Sequence, residues 1–109
     1  MPRAGASDEP TSPMQERMTK RVEIRGLVQG VGYRASFERQ ARALHLSGWV
    51  RNRHDGSVEA LVAGEPVCLA RIISWAWCGP PSARVDDVAV IDAADIPVEE
   101  GRFSVLPTS

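Results

Sequence analysis

Residues 20–46 read KRVEIRGLVQGVGYRASFERQARALHL, and the spacing of the apolar residues changes in the middle of this stretch. Before the glycines, Val22 and Ile24 alternate with charged residues, which is typical of a half-buried strand. After the glycines, apolar residues recur every three or four positions, which predicts a helix over residues 33–46 that Ser47-Gly48 closes. The predicted inward face of this helix consists of Phe37, Ala41 and Leu44.

Two further strands are predicted at residues 48–53 and 57–63, and the length of the turn between them decides which side chains share a face. A turn of two residues would place the apolar residues of the second strand beside the arginines of the first. A turn of three residues, with Gly56 in the left-handed conformation, places them beside Val50 and Asn52. Because apolar residues belong together on the buried face, we predict the turn of three. Asn52 then lies on the side that the helices cover.

The second half of the chain contains signals for one helix and two strands. A helix is predicted over residues 66–77, since a proline suits its first turn and Gly79-Pro80-Pro81 stops it. Its predicted apolar stripe consists of Val67, Ala70, Ile73 and Trp77. A strand is expected at residues 85–91, where two valines out of phase indicate either a bulge or a strand that begins later, and a short last strand is expected at residues 102–106.

The order of these elements is strand, helix, strand, strand, helix, strand, followed by the short last strand. It predicts an α+β fold, the ferredoxin-like sandwich (βαββαβ), in which two helices cover one face of an antiparallel sheet. This fold hosts many functions and identifies none by itself. A length of 109 residues fits one domain, predicted at residues 19–109. Residues 1–18 contain three prolines and no apolar period, which predicts a disordered tail.

The composition argues against several classes of partner. The formal net charge is −1, so no general basic field attracts nucleic acid or an anionic membrane. No apolar run approaches the ~18 residues of a membrane-spanning helix, and the N-terminus has no apolar core typical of a signal peptide. No coiled-coil pattern appears, so we expect a monomer.

The two cysteines, Cys68 and Cys78, are ten residues apart on the predicted second helix. Ten helical residues span about 15 Å, which exceeds the ~7 Å limit on the Cα separation of a disulfide. We therefore expect free thiols and a cytoplasmic protein. No cysteine or histidine spacing indicates a metal, so no metal or other cofactor is expected.

The loop at residues 26–34 joins the first strand to the first helix, carries three glycines and ends in Arg34. Backbone N–H groups of such a loop can converge on an anion, and the helix start adds free donors. An arginine in the first turn opposes the helix dipole unless an anion lies between the two. The loop thus indicates an anion site, although a glycine-rich connection followed by a solvated arginine has the same appearance.

Asn52 is the only asparagine of the chain and lies in a predicted strand, where asparagine is disfavoured. On the covered face its amide must find partners, or it costs about 1–3 kcal/mol. One explanation is a structural hydrogen bond to the neighbouring loop. The other is a carboxamide that holds a water molecule beside a phosphate.

Two stretches resemble the signatures of the acylphosphatase family. Residues 26–34, Gly-Leu-Val-Gln-Gly-Val-Gly-Tyr-Arg, are similar to the first signature, glycine-x-valine-glutamine-glycine-valine-x-aromatic-arginine, without a mismatch. Residues 48–52, Gly-Trp-Val-Arg-Asn, with Gly56 and Gly64 at the right spacings, resemble the second signature. The resemblance covers residues 20–106, nearly the whole predicted domain.

The resemblance implies a hydrolase that cleaves small-molecule acyl phosphates into a carboxylate and inorganic phosphate, without a metal or cofactor. It implies that Arg34 and backbone N–H groups bind the phosphate and that Asn52 positions the attacking water. The residues expected around the phosphate are Gln29, Gly30, Val31, Gly32, Tyr33 and Arg34. The alternatives are a relative that handles carbamoyl phosphate and a non-catalytic ferredoxin-like binding module.

Overall fold

The computed structural model describes residues 17–109 and shows two helices packed on one face of a five-stranded sheet. The strands are β1 (Met18–Leu27), β2 (Ser47–Asn52), β3 (Val58–Gly64), β4 (Arg84–Asp92) and β5 (Phe103–Val105). The helices are α1 (Tyr33–Ala43) and α2 (Pro66–Cys78). Residues 1–16 of the predicted tail lie outside the described residues, and Met18 already belongs to β1.

The strands follow the order β4-β1-β3-β2-β5 across the sheet. Neighbouring strands among β4, β1, β3 and β2 are antiparallel, whereas β5 runs parallel to β2 at the edge of the sheet. The predicted ferredoxin-like order of elements is confirmed, and the parallel edge strand makes the sheet mixed rather than purely antiparallel. The predicted bulge is also present, since Arg25 pairs with Asp87 but Gly26 pairs with Val85, which leaves Asp86 unpaired.

The core lies between the sheet and the helices and depends on the register of the β2–β3 hairpin. Val50 pairs with Ala60 and Asn52 pairs with Val58, so the turn has three residues and Gly56 has a φ of +93°. The predicted turn is therefore confirmed. The inward rows of the three central strands meet the buried faces of the helices, which consist of Tyr33, Phe37 and Ala41 in α1 and Leu69, Ile72 and Ala76 in α2.

The end of α1 differs from the prediction. The helix ends at Ala43, three residues before the predicted end, and Ser47 already belongs to β2. The chain reverses at His45, which has a φ of +58°, while the Leu46 N–H donates to the carbonyl of Ala41. The prediction that Ser47-Gly48 closes the helix was wrong because a histidine takes the left-handed position that glycine usually fills.

The buried stripe of α2 also differs from the prediction. Val67 and Trp77 are 58% and 50% exposed, whereas Leu69, Ile72 and Ala76 are buried. The helix is apolar on most of its circumference, so stripes displaced by one position have the same spacing, and the sequence pattern could not choose between them. Both cysteines are free thiols, as expected, with Cys68 partly buried and Cys78 exposed.

At Gly48 the backbone of β2 approaches the backbone of β3 too closely for a side chain. Its φ is +131°, and an added Cβ would meet the carbonyl oxygen of Leu61 at 1.8 Å, in the backbone of the central strand β3. We expect Gly48→Ala to lower the free energy of unfolding by about 3 kcal/mol or more, because strain and a backbone clash add. Gly101→Ala is the control, since its φ of +75° carries the strain while nothing lies within 4 Å. Urea denaturation compares the two, and equal losses would contradict the clash.

Candidate active site

The loop between β1 and α1 meets the end of β2 at a cavity of about 240 Å³. Backbone of Gly30 and Gly32 forms one side, and Arg34, Glu38 and Asn52 supply the polar side chains. A larger cavity of about 440 Å³ lies at the other end of α1 and contains none of the predicted site residues. The smaller cavity therefore brings together the two residues, Arg34 and Asn52, that the sequence marked from separate stretches.

The start of α1 offers free backbone donors to this cavity. Gly32 is the N-cap residue, with a φ of +80°, and no side chain caps the first turn. Gly30 has a φ of +76°, and neither glycine has an atom within 4 Å of the position of a Cβ. Uncapped N–H groups and the positive end of the helix dipole make such a helix start a site for an anion.

Arg34 is half-buried in the first turn of α1. Within residues 17–109 its guanidinium forms no ion pair and no hydrogen bond to protein, whereas Arg21, Arg51 and Arg53 are paired with carboxylates. Two positive elements, the arginine and the helix start, thus share one cavity, and the carboxylate that lines it, Glu38, pairs with Arg42 rather than with Arg34. This arrangement favours binding of a phosphate, whose oxygens a guanidinium can hold in a bidentate fork.

Asn52 lies in the last position of β2 and is aimed at the same cavity. Its Oδ1 is buried and has no hydrogen-bond partner among the described residues. A buried acceptor without a partner costs about 1–3 kcal/mol, and a native protein tolerates that cost where a ligand or water supplies the missing bond. Among these residues, no group of the neighbouring loop donates a hydrogen bond to Asn52 Oδ1.

The side chain of Gln29, and not that of Asn52, connects the loop between β1 and α1 to the β2–β3 hairpin. Its Nε2 donates to the carbonyl oxygens of Arg53 and Ser57, both at 2.8 Å. The structure therefore places this side chain on the β2–β3 turn rather than in the cavity. The Tyr33 hydroxyl is also turned away and donates to the carbonyl of Ala76 at 2.8 Å, and burial raises its pKa. Val31 packs partly buried against the core.

Asp55 shapes the turn that receives Gln29. Its Oδ1 accepts hydrogen bonds from the Ser57 hydroxyl at 2.6 Å and from the Ser57 N–H at 2.9 Å. These bonds lower the pKa of Asp55 to about 2. Asp55 is therefore ionised at neutral pH and has no proton to donate as a general acid.

Gln29 offers a test of the connection between the loop and the hairpin. We expect Gln29→Ala to lower the free energy of unfolding by about 1–3 kcal/mol, because two carbonyls lose their donor. We also expect it to raise KM, since the loop N–H groups lose their fixed position. The control is Gln40→Ala on the exposed face of α1. Denaturation and steady-state kinetics are measured on both, and a Gln29→Ala protein as stable as wild type would contradict the connection.

Across residues 17–109, no three His, Cys, Asp or Glu side chains gather in a geometry that suits a metal ion. In the same part of the chain, neither helix has the length and apolar character needed to cross a membrane.

Comparison with known proteins identifies the family to which this site belongs. A family model described as Acylphosphatase matches residues 20–105, which include both stretches that form the cavity. The chain belongs to the acylphosphatase family. Membership assigns it the function of an acylphosphatase, a hydrolase that acts on acyl phosphates.

Similar proteins match along almost their whole length. The chain is 53% identical over 100 residues to an acylphosphatase of Azoarcus sp. (strain BH72), covering 92% of this chain and 97% of that protein. It is 53% identical over 96 residues to an acylphosphatase of Bradyrhizobium diazoefficiens, with 84% and 97% covered. The structure of an acylphosphatase from Coxiella burnetii superposes with a TM-score of 0.79 at 35% identity, over 88% of this chain and 99% of that one.

Four residues that line the cavity in this acylphosphatase lie outside the predicted site, namely Val28, Ala35, Glu38 and Val105. Glu38 lies one helical turn after Arg34 on the same face of α1, and the spacing of four residues could have identified it. Val105 reaches the cavity only because β5 pairs in parallel with β2. No local pattern predicts that pairing.

Proposed function

We propose that this acylphosphatase holds the phosphoryl group of its substrate in the cavity between the start of α1 and the end of β2. Arg34 and the backbone N–H groups of residues 30–34 form the electrostatic cradle, and Asn52 orients the attacking water. The observation that carries the proposal is a pair of groups in one cavity that find no partner within residues 17–109, the Arg34 guanidinium and the Oδ1 of Asn52. The other charged side chain of the lining, Glu38, is paired with Arg42.

The reaction needs positioning and charge stabilisation more than acid–base chemistry. Water, held by Asn52 Oδ1, attacks phosphorus while the bond from phosphorus to the acyl oxygen breaks and the carboxylate leaves. The proton of the water passes to a phosphate oxygen. A carboxylate is a good leaving group, so no strong general acid is required, and Asp55 with its low pKa supplies none. Phosphoryl transfer through a loose transition state depends chiefly on orientation and electrostatics.

The proposed mechanism is independent of metal ions, since Arg34 and the helix start supply the positive charge that a divalent cation supplies in other phosphoryl-transfer sites. We also propose a monomer, because the cavity of a single chain already contains the residues that the proposed mechanism uses, Arg34 and Asn52. A cytoplasmic location is supported by the free thiols Cys68 and Cys78, which suit a reducing compartment.

The test is hydrolysis of benzoyl phosphate by the purified protein in the presence of EDTA, with carbamoyl phosphate as a second substrate. Turnover of benzoyl phosphate with EDTA present is the expected result. No turnover by the folded protein would overturn the proposed mechanism and favour a binding module. Efficient turnover of carbamoyl phosphate alone would assign the protein to carbamoyl phosphate chemistry instead.

A further inference from the structure

We infer that Glu38 sets the acyl-group preference of this enzyme: it disfavours acyl phosphates whose acyl group is anionic and favours uncharged or cationic ones. The inference rests on the proposed function, because it assumes that the phosphate lies at the start of α1. It concerns the other end of the same cavity, where the acyl group is accommodated.

The first step is the direction in which the acyl group extends. The phosphate end of the cavity is fixed by Gly30, Gly32 and Arg34, which surround the free donors of the helix start. The rest of the wall that α1 and β5 supply consists of Ala35, Glu38 and Val105. An acyl group bonded to the held phosphate would extend along this side, away from the loop. The acyl group would therefore pass the carboxylate of Glu38, whose side chain is 26% exposed.

The second step is the charge that Glu38 retains. Its Oε2 lies 2.9 Å from the guanidinium of Arg42, which also donates to the carbonyl of Phe103 at 3.1 Å. Arg42 is 64% exposed and does not line this cavity, so the carboxylate is the partner that faces the substrate. A glutamate pairs better with an arginine four residues later than with one four residues earlier. That preference explains why Glu38 pairs with Arg42 and leaves Arg34 free for the phosphate.

The third step is the size of the effect. A second negative charge on the acyl group would lie on the same side of the partly solvated cavity as the Glu38 carboxylate. The repulsion is reduced by the Arg42 partner and by solvent, so we expect discrimination of about three- to tenfold in kcat/KM. An uncharged acyl group meets no such penalty, and a cationic one gains from the same carboxylate.

The experiment compares benzoyl phosphate with 4-carboxybenzoyl phosphate, which adds one negative charge to the same ring. The measured quantity is the ratio of kcat/KM for the anionic substrate to that for the uncharged one. Glu38→Gln is expected to raise this ratio about three- to tenfold, and Glu38→Lys to raise it further. Arg42→Gln is expected to lower it, because the carboxylate loses its partner. Glu99→Gln is the control, since it removes an exposed carboxylate that lies outside the cavity.

Opposite shifts in the Glu38 and Arg42 variants, with the Glu99 variant unchanged, would support the inference. A ratio that is the same in wild type, Glu38→Gln and Glu38→Lys, with benzoyl phosphate still hydrolysed, would overturn the inference and leave the proposed function intact. Absence of benzoyl phosphate hydrolysis in the wild type would overturn both.

Discussion

Arg34→Ala is expected to lower kcat/KM for benzoyl phosphate about 10²- to 10³-fold, the usual cost of losing one preorganised donor to a transition state. Within residues 17–109 the guanidinium forms no ion pair, because the Glu38 carboxylate of the same cavity pairs with Arg42, so its interaction energy is available to the phosphoryl oxygens. Both KM and kcat should worsen, because the oxygens carry charge in the ground state and in the transition state. Stability should change little, since the side chain gives up no bond to protein within residues 17–109.

Arg39→Ala is the matched control, because Arg39 lies on the exposed face of the same helix, where its guanidinium donates to the Ser36 hydroxyl. It should leave kcat/KM within about twofold of wild type, as expected for a screened surface charge. Arg34→Lys tests the geometry, since lysine keeps the charge but lacks the planar fork. Full activity in Arg34→Ala would show that the phosphate is held elsewhere.

Asn52→Ala is expected to lower kcat about 10²- to 10³-fold while KM changes little, because its carboxamide acts on the water and not on the phosphate. The same substitution should leave the free energy of unfolding unchanged or slightly higher. The reason is that Oδ1 has no hydrogen-bond partner among the described residues, so its removal relieves an unsatisfied acceptor.

The comparison with Gln29→Ala separates a role in the reaction from a role in the fold. Both substitutions remove a carboxamide near the same loop, but within residues 17–109 only the Gln29 carboxamide bonds to protein, through the Arg53 and Ser57 carbonyls. Kinetics and urea denaturation should therefore give opposite signatures, lost turnover for Asn52 and lost stability for Gln29. An Asn52→Ala protein that keeps its turnover and loses about 1–3 kcal/mol of stability would make Asn52 a structural residue.

The fold was predictable where a local sequence pattern is compatible with only one arrangement of the backbone. The β2–β3 turn is such a case, since only a three-residue turn with Gly56 left-handed buries Val58 beside Val50. The prediction failed where two solutions fitted the pattern equally. The apolar circumference of α2 allowed a stripe through Val67 that the structure leaves exposed, and nothing in the sequence marked His45 for a left-handed conformation.

The candidate site was predictable at residues whose type conflicts with their local position. Arg34 opposes a helix dipole and Asn52 is a poor strand residue, and the structure brings both to one cavity. The side chain of Gln29 could not be placed, because its partners are backbone carbonyls that carry no sequence signal. Glu38 was overlooked because a glutamate on a helix with nearby arginines is ordinary surface composition.

The position of β1 in the sheet has a consequence for how the chain folds. β1 pairs on one side with β3 and on the other with β4, and Lys20 meets Asp92 across 72 residues of sequence. Contacts between residues so far apart form slowly, because the entropy of closing the loop is lost before the pairing contributes any stabilising free energy. During synthesis on the ribosome, one edge of β1 has no partner strand until β4 has been made. Native assembly is therefore a late event in the synthesis of this chain, and so is the completion of the sheet that supports its active site.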